Sequence, residues 1–288
     1  MRCSYIKQNT VLTMTEFYYT KAKERKEDID NMNIVICCKF VPCPQDIEKN
    51  IDGSVSFDRA TWEISEFDLQ AVEAGMVLAK ATGGKLIAVS VGSSRIEASQ
   101  LKKDLLSRGP DELYLVSDDE LTDADTGVIS TILAKAAEKI GADIVICGEG
   151  SADYYYQQTG CQIGERLGWA TLNYIDSIEA GDGFLKVERT LESKIEVLEV
   201  PLPAVLSVTT NINTPPRPNM RAILSASKKP VTMLSLSDLG ITSIAENVKV
   251  VSTIAPRSVD RKNIVVSGDT MEVAAAEFVR CLKVDGVL

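Results

Sequence analysis

The chain has 288 residues, 45% of them hydrophobic and 25% charged, and a net charge of −10 at pH 7. That acidity, with no basic stripe, excludes nucleic acid as a partner, because phosphate binding is carried by clustered Lys and Arg. The longest apolar runs, such as 201–208, fall far short of the roughly 20 residues of a membrane span, and the lack of histidine removes Ser-His-Asp and Cys-His nucleophile machinery.

Seven cysteines, Cys3, Cys37, Cys38, Cys43, Cys147, Cys161 and Cys281, form no CxxC pair. Their odd number and spacing suit reduced thiols, with neither a disulfide framework nor a structural zinc expected. Cys37, Cys38 and Cys147 read as small buried hydrophobes on strands. Residues 1–32 show no core-facing period and carry a charged run at 21–30 where a signal peptide would be apolar, so a cytoplasmic protein is expected.

In chain order, 33–38 (NIVICC) is a short apolar run of the kind buried on both faces of a parallel sheet. Segment 67–80 has helical period, with Leu69, Val72, Met76 and Ala79 on one face and a stop at Thr82-Gly83-Gly84. A strand at 85–91, a helix at 96–106 and a strand at 112–116 follow. The helix at 125–140 takes Asp123 or Asp125 as its N-cap; 142–147 is a strand and 158–167 a helix ended by Gly168. Four strand-then-helix units imply right-handed crossovers: an α/β, Rossmann-like parallel sheet flanked by helices.

The pattern then changes. Strands at 174–179, 184–190 and 194–200, the first two joined at Gly181-Asp182-Gly183, form an appended β-hairpin layer. A strand at 201–209 follows, and 213–219 (NTPPRPN) must be loop, since three prolines rule out regular structure. Beyond Lys229-Pro230 lies a less organised C-terminal arm closed by a helix at 270–283.

Ligands of an open parallel sheet bind beyond the carboxyl ends of its strands. Segments 38–42, 90–93 and 148–160 (GEGSADYYYQQTG) meet there. The last offers Gly148 and Gly150 for close backbone approach, an acid at Asp153, and Gln158-Thr159-Gly160 opening a helix. Free N–H groups beside a hydroxyl make an anion site suited to a nucleotide phosphate. The helix dipole adds only roughly 0.3–1 kcal/mol, so hydrogen bonds and adenine burial must supply most of the binding. A glycine-relieved strand-to-helix turn with an ordinary Thr would read the same way. Neither a Walker A nor a GxGxxG pattern is present.

Segment 148–160 resembles the nucleotide loop of electron-transfer flavoprotein beta subunits, which runs glycine, Ala-Ile-Asp, then Gln-Thr/Val-Gly. Cys37-Cys38-Lys39-Phe40-Val41-Pro42 resembles the family's opening strand, and Phe67-Asp68-Leu69-Gln70-Ala71-Val72-Glu73-Ala74 its next helix, with Ser65-Glu66 in place of Asn-Pro. Arg189, Glu192, Glu196, Leu198 and Pro203-Ala204-Val205-Leu206 follow a later signature, from which Ser193, Lys194 and Ser207 depart. The similarity runs from 33 to about 240. It is nearest the Fix-type branch, on Ser107-Arg108-Gly109-Pro110, Gly148-Glu149-Gly150-Ser151 and Lys228-Lys229-Pro230.

The resemblance implies nucleotide contacts at Cys37, Ser65, Glu66, Phe67, Asp68, Val91 and the stretch 148–159, within it Gly148, Glu149, Gly150, Ser151, Ala152, Asp153, Gln157, Gln158 and Thr159 above all. Simple members hold AMP there; electron-bifurcating members hold a second FAD. Ala124-Asp125-Thr126, with Ser130 following, resembles the bifurcating run, although Val128-Ile129 replace its Ala-Thr. FAD is therefore favoured over AMP, with Asp125 and Thr126 added to the site; the same pair also reads as a plain helix cap. Segment 215–229 resembles the loop that grips a dehydrogenase, with Met220 at the apolar anchor and Arg221 and Ile223 beside it, unless Met220 folds back on its own surface.

Further implied are an alpha subunit carrying another FAD, wrapped by the C-terminal arm, and an acyl-CoA dehydrogenase-like or quinone oxidoreductase partner. In the bifurcating version NADH is the donor and ferredoxin a low-potential acceptor. No catalytic side chain or metal ligand is singled out, because the flavin carries the chemistry and the protein places it. A non-bifurcating, AMP-holding version and an adenine-nucleotide sensor module are the alternatives; a hairpin layer with a recognition loop is not expected of the sensor. The expected division is 1–32 as an extension or a misassigned start before Met32, 33–213 as the nucleotide domain, 214–229 as the partner loop and 230–288 as the arm.

Overall fold

The computed structural model describes residues 4–7, 10–13, 31–244, 248–256 and 261–288. Most of 1–32, Cys3 included, lies outside the described residues. Within it, strands β1 (Ser4–Lys7) and β2 (Thr10–Thr13) pair antiparallel.

The chain divides into two units, 1–48 with 56–253, and 49–55 with 254–288. The first is built on β3 (Asn33–Cys37), whose run of Ile and Val is buried on both faces. Short strands β4 (Phe40–Pro42), β5 (Glu48–Lys49), β6 (Val55–Ser56) and β7 (Trp62–Ile64) follow, β4 pairing with β7 and β5 with β6. Helix α1 (Glu66–Thr82) ends on Gly83 in the left-handed conformation. It lies so close to the sheet at Gly75 that a Cβ there would stand 2.6 Å from Leu86 and 3.0 Å from Ile36. Next come β8 (Lys85–Gly92), α2 (Ser99–Ser107), β9 (Glu112–Ser117), α3 (Thr126–Ile140), β10 (Ile144–Gly148) and α4 (Thr159–Leu167). The expected strand–helix alternation is present.

Strands β11 (Ala170–Ala180), β12 (Leu185–Leu191) and β13 (Lys194–Val200) form the hairpin region, and β14 (Ala204–Val208) follows. All join one nine-stranded sheet of order β13-β12-β11-β14-β10-β3-β8-β9-β15, with β15 at Val231–Leu234. From β11 to β15 neighbours are parallel; β12 and β13 extend the sheet antiparallel. The hairpins thus prolong the main sheet instead of covering it. Arg189 and Glu196, two residues of the later signature, face each other across β12 and β13 at 2.7 Å.

Alternation divides the core. Ile34, Ile36, Leu86, Ala88, Leu113, Leu115, Ile144 and Ile146 pack with Val72 and Leu78 of α1 and Leu101 and Leu105 of α2. Val35, Cys37, Ile87, Val89, Val145 and Cys147 pack with Ile132 and Leu133 of α3 and Ile163 of α4. Met32 is also buried, and its carbonyl accepts from Lys85 N–H, so the packed body begins just before 33. Segment 214–229 is not loop throughout: Asn219 caps helix α5 (Met220–Ala226). The region after 230 begins with β15, in the sheet, because Pro230 follows a lysine that is itself fastened. Lys229 Nζ donates to the carbonyls of Leu106, Gly109 and Pro110 at 2.9, 3.1 and 2.6 Å, tying Lys228-Lys229-Pro230 to Ser107-Arg108-Gly109-Pro110.

In the second unit Ser54 bridges Ile254, Ala255 N–H donates to Gly53 O, and Lys262 pairs with Asp285. Its helix α6 (Met271–Val284), capped by Thr270, buries no residue and exposes Met271, Val273, Phe278 and Val279. No helix among the described residues is long and apolar enough to cross a membrane, and none of their His, Cys, Asp and Glu side chains form a group able to hold a metal.

Candidate functional site

The carboxyl ends of β3, β8 and β10 lie side by side, and the chain leaving β10 crosses to the end of β3, where Asp153 meets Lys39, before entering α4. That crossing, 149–158, is fastened to β3 and α1 at several points. Ser65 is fully buried at the start of α1, where Asx/Ser residues ordinarily cap their own helix. Its hydroxyl instead accepts from Ala152 N–H at 3.2 Å. Lys39 reaches over to pair with Asp153, and its ammonium lies 5.0 Å from the Tyr154 ring centroid. Phe67, in the first turn of α1, stands 5.0 Å from Tyr155. Glu149 N–H donates to Val208 O at 2.9 Å and Tyr155 N–H to Ser151 O at 3.0 Å.

Asp68 lies beneath this crossing, buried, and accepts from Lys39 N–H at 2.7 Å and from Gly148 N–H. Burial pushes its carboxyl up to about 7, against the pull of those two N–H groups and the Lys39 ammonium, and with some help from the Asp153 charge. Asp153 goes the other way. Burial would raise it, but Lys39 and the hydrogen bonds of Ser151 and Tyr154 N–H hold it below the usual carboxylate range. The ends of β3 and β10, and α1, are thus joined through one buried carboxyl.

Cys37 and Cys147 are buried and free, and the Cys147 thiol is pushed up by its hydrogen bond with Cys37 and by burial. Burial, followed by the Asp68 charge, raises Cys38. Buried thiols, raised at Cys38 and Cys147, suit packing and not nucleophilic work. Val91 is half-buried on β8, and Glu66 exposed in the first turn of α1.

Helices α3 and α4 start next to each other. Asp125 caps α3 through Val128 N–H at 2.8 Å, and its other oxygen accepts from Val248 N–H at 3.1 Å. Thr126 donates to Gln158 at 3.1 Å and accepts from Gln162 at 3.2 Å; Gln162 also accepts from Ser130, and Arg166 donates to Thr131 and Gly127 O. The Asp125-Thr126 and Ser130 pattern therefore builds a latch between helices. Gln158 makes no side-chain cap to α4, whose first N–H groups have no partner within the helix.

Gly148 and Gly150 permit a close approach, as expected of them, and in this structure the atoms that come close are the protein's own. A Cβ on Gly148 would stand 2.7 Å from Phe67 O and 2.8 Å from Asp68, and one on Gly150 would strike the Tyr155 ring. Gly160 is demanded by Ser207 of β14 and Gly164 by Thr171 of β11, so α4 lies directly on the sheet. Residues 37, 65, 67, 68 and 148–153 lie together at the ends of β3 and β10 and the start of α1; Gln157 adopts a left-handed backbone, φ 56°, and turns the chain into Gln158 and Thr159. Sequence reasoning missed Lys39, although it stands in the opening motif, and it included the tyrosines only as part of the stretch 148–159, without their packing.

Met220 is 71% exposed on α5, with Arg221, Ile223 and Leu224 exposed beside it. Met220 is thus not folded back onto this chain, and Leu224, at 69%, joins it in an apolar face that sequence reasoning did not include. Residues 53–239, well over half of the chain, match the family model described as electron transfer flavoprotein domain, and the matched stretch includes α1, the crossing loop, the hairpin strands, α5 and β15. The chain therefore belongs to the electron transfer flavoprotein family.

Proposed function

We propose that this chain is the beta-type subunit of a heterodimeric electron-transfer flavoprotein, and that the cleft beyond β3, β8 and β10 holds FAD by its AMP half. The observation that carries the reading is the crossing loop, which Asp68, Ser65 and Lys39 fix at the strand ends and which delivers Gln158 and Thr159 to a helix start with no side-chain cap. Backbone N–H groups and one hydroxyl fit a phosphate, and the Phe67–Tyr155 pair offers aromatic surface for a base. When bound, the flavin supplies reversible one- and two-electron transfer. The chain's own share is to orient it, screen it from water and keep the loop in one conformation.

In this reading electrons come from NADH and divide between a low-potential carrier such as ferredoxin and the FAD of the alpha subunit. From there they pass to an acyl-CoA dehydrogenase-like or quinone oxidoreductase partner, in the cytoplasm. The apolar face of α5 serves as the partner grip, with Met220, Ile223 and Leu224 as its contacts. The exposed apolar side chains of α6 supply the surface that packs on the alpha subunit.

A second reading, with structural AMP alone, is favoured by one observation: Thr126 and both oxygens of Asp125 are already hydrogen-bonded within the chain, leaving less at the start of α3 for a flavin. A visible spectrum and nucleotide assay of the chain purified with its companion subunit separates the cases. Two flavins per heterodimer support the FAD reading, one flavin plus AMP the second, and a colourless protein overturns both.

A further inference from the structure

Tyr154, Tyr155 and Tyr156 stand in a row in the crossing loop, and alternate side chains serve different ends. Tyr155 sets its ring on the Cα of Gly150 and against Phe67, while remaining 45% exposed. Tyr154 and Tyr156 face outward and stack on each other, with ring centroids 5.2 Å apart and planes 8° from parallel. Both remain about half exposed, at 47% and 55%, although each covers one face of the other.

Two features hold this pair in place. Lys39 packs its ammonium over the Tyr154 ring and pairs with Asp153, the residue before it. The backbone at Tyr155 is left-handed, φ 50°, as it is at Gln157, φ 56°. Non-glycine residues keep that conformation only where the surroundings impose it, and such residues gather at ligand sites. A solvated loop has no need of a parallel aromatic pair braced by a cation. Lys39, which braces Tyr154, also donates its backbone N–H to Asp68, so the pair adjoins the end of β3. Phe67 of the Phe67–Tyr155 pair belongs to the first turn of α1.

We infer that the outward stack of Tyr154 and Tyr156 is a platform for a planar heteroaromatic ring, the isoalloxazine of the bound flavin, and that it makes this cleft prefer FAD to AMP. The inference rests on the FAD reading above and adds to it the residues that set the preference. Stacking needs a π-face and no hydrogen-bond partner, so it works even though Asp125 and Thr126 are occupied within the chain. The adenine end, common to both ligands, gains nothing from the platform.

The test compares FAD and AMP binding by the full-length chain, stripped of nucleotide, in the parent, the Tyr154→Leu/Tyr156→Leu double variant and the Tyr154→Phe/Tyr156→Phe double variant. Leucine keeps apolar volume without a ring; phenylalanine keeps the ring without the hydroxyl. FAD affinity should fall about tenfold or more in the leucine variant, the scale of losing one ring–aromatic stack. AMP affinity should change less than about twofold, and the phenylalanine variant should match the parent. Flavin fluorescence, quenched on binding to the parent by the stacked phenols, should recover in the leucine variant at saturating chain. Equal losses of FAD and AMP would reduce the tyrosines to loop braces and overturn the platform while leaving the FAD reading intact; unchanged FAD affinity would do the same. A parent that binds AMP but not FAD would overturn the FAD reading itself, and the platform with it.

Discussion

Replacing Asp68 by Asn tests whether a buried carboxyl at the strand ends governs stability near neutral pH. In the unfolded chain this group titrates at its ordinary 3.8, whereas burial raises it to about 7 in the folded protein. Between those values the folded state holds a proton that the unfolded state has lost, so stability falls as pH rises through the window and the whole cost is present above 7. A shift of that size corresponds to about 4 kcal/mol at 1.36 kcal/mol per unit. Asn has the same shape and never ionises. Its amide offers one acceptor, while Lys39 N–H and Gly148 N–H both need one, so one buried N–H goes unpaired at about 1–3 kcal/mol, whatever the pH. The variant should therefore gain on the parent as pH rises, equal it between about pH 4.5 and 6, and be more stable at pH 8. Urea unfolding of both proteins from pH 4.5 to 8.5 gives the difference directly. Asp46, Asp52, Asp119, Asp153 and Asp238, all held below their ordinary range, titrate beneath the window and cancel between the two proteins. Parallel pH profiles would mean that Asp68 is not the titrating group and that the fastening of β3 to β10 does not depend on its charge.

Other consequences are more local. Gly160→Ala should destabilise the fold by about 1–3 kcal/mol in a urea titration, because the new methyl meets Ser207 and α4 must lift from β14; adding Ser207→Gly should restore most of the loss. Thr159→Val should weaken nucleotide retention by about 1–2 kcal/mol, measured by nucleotide content after dialysis, with no change in unfolding midpoint. Met220→Ala should slow electron transfer to the partner dehydrogenase, costing roughly 1–3 kcal/mol of docking energy in an activity titration, while Met220→Leu stays near the parent. Because Met220 is exposed in the isolated chain, neither Met220 variant should shift its melting temperature.

The sheet was legible because burial on two faces leaves a direct mark: Ile34 to Cys37 and Ile144 to Cys147 are apolar at every position, and only a central parallel strand needs that. Strand β15 left no such mark. It is a short edge strand paired on one side only, so Val231 and Met233 face solvent and its pattern resembles an arm. Its place is set by Lys229 reaching three carbonyls about 120 residues away, an interaction that no local period encodes. Helix α5 was hidden for a similar reason, since three prolines precede it and its capping signal is the single Asn219.

The site was legible in its composition and not in its wiring. A glycine reports that something comes close, without reporting what. At Gly148 it is the carbonyl of Phe67, at Gly150 a tyrosine ring, and at Gly160 a serine of the neighbouring strand. In the same way a serine before a helix reads as its cap, yet Ser65 spends its hydroxyl on Ala152 N–H in another segment. The residues that would touch a nucleotide are thus held by residues whose own partners lie about 30 to 110 positions away: Asp68 to Lys39, Ser65 to Ala152, Lys39 to Asp153. Binding through backbone N–H groups constrains side chains only indirectly, through whatever fixes the backbone. For this cleft the most informative positions are therefore the buried Ser65 and Asp68, which need no ligand contact to decide whether the loop is ready for one.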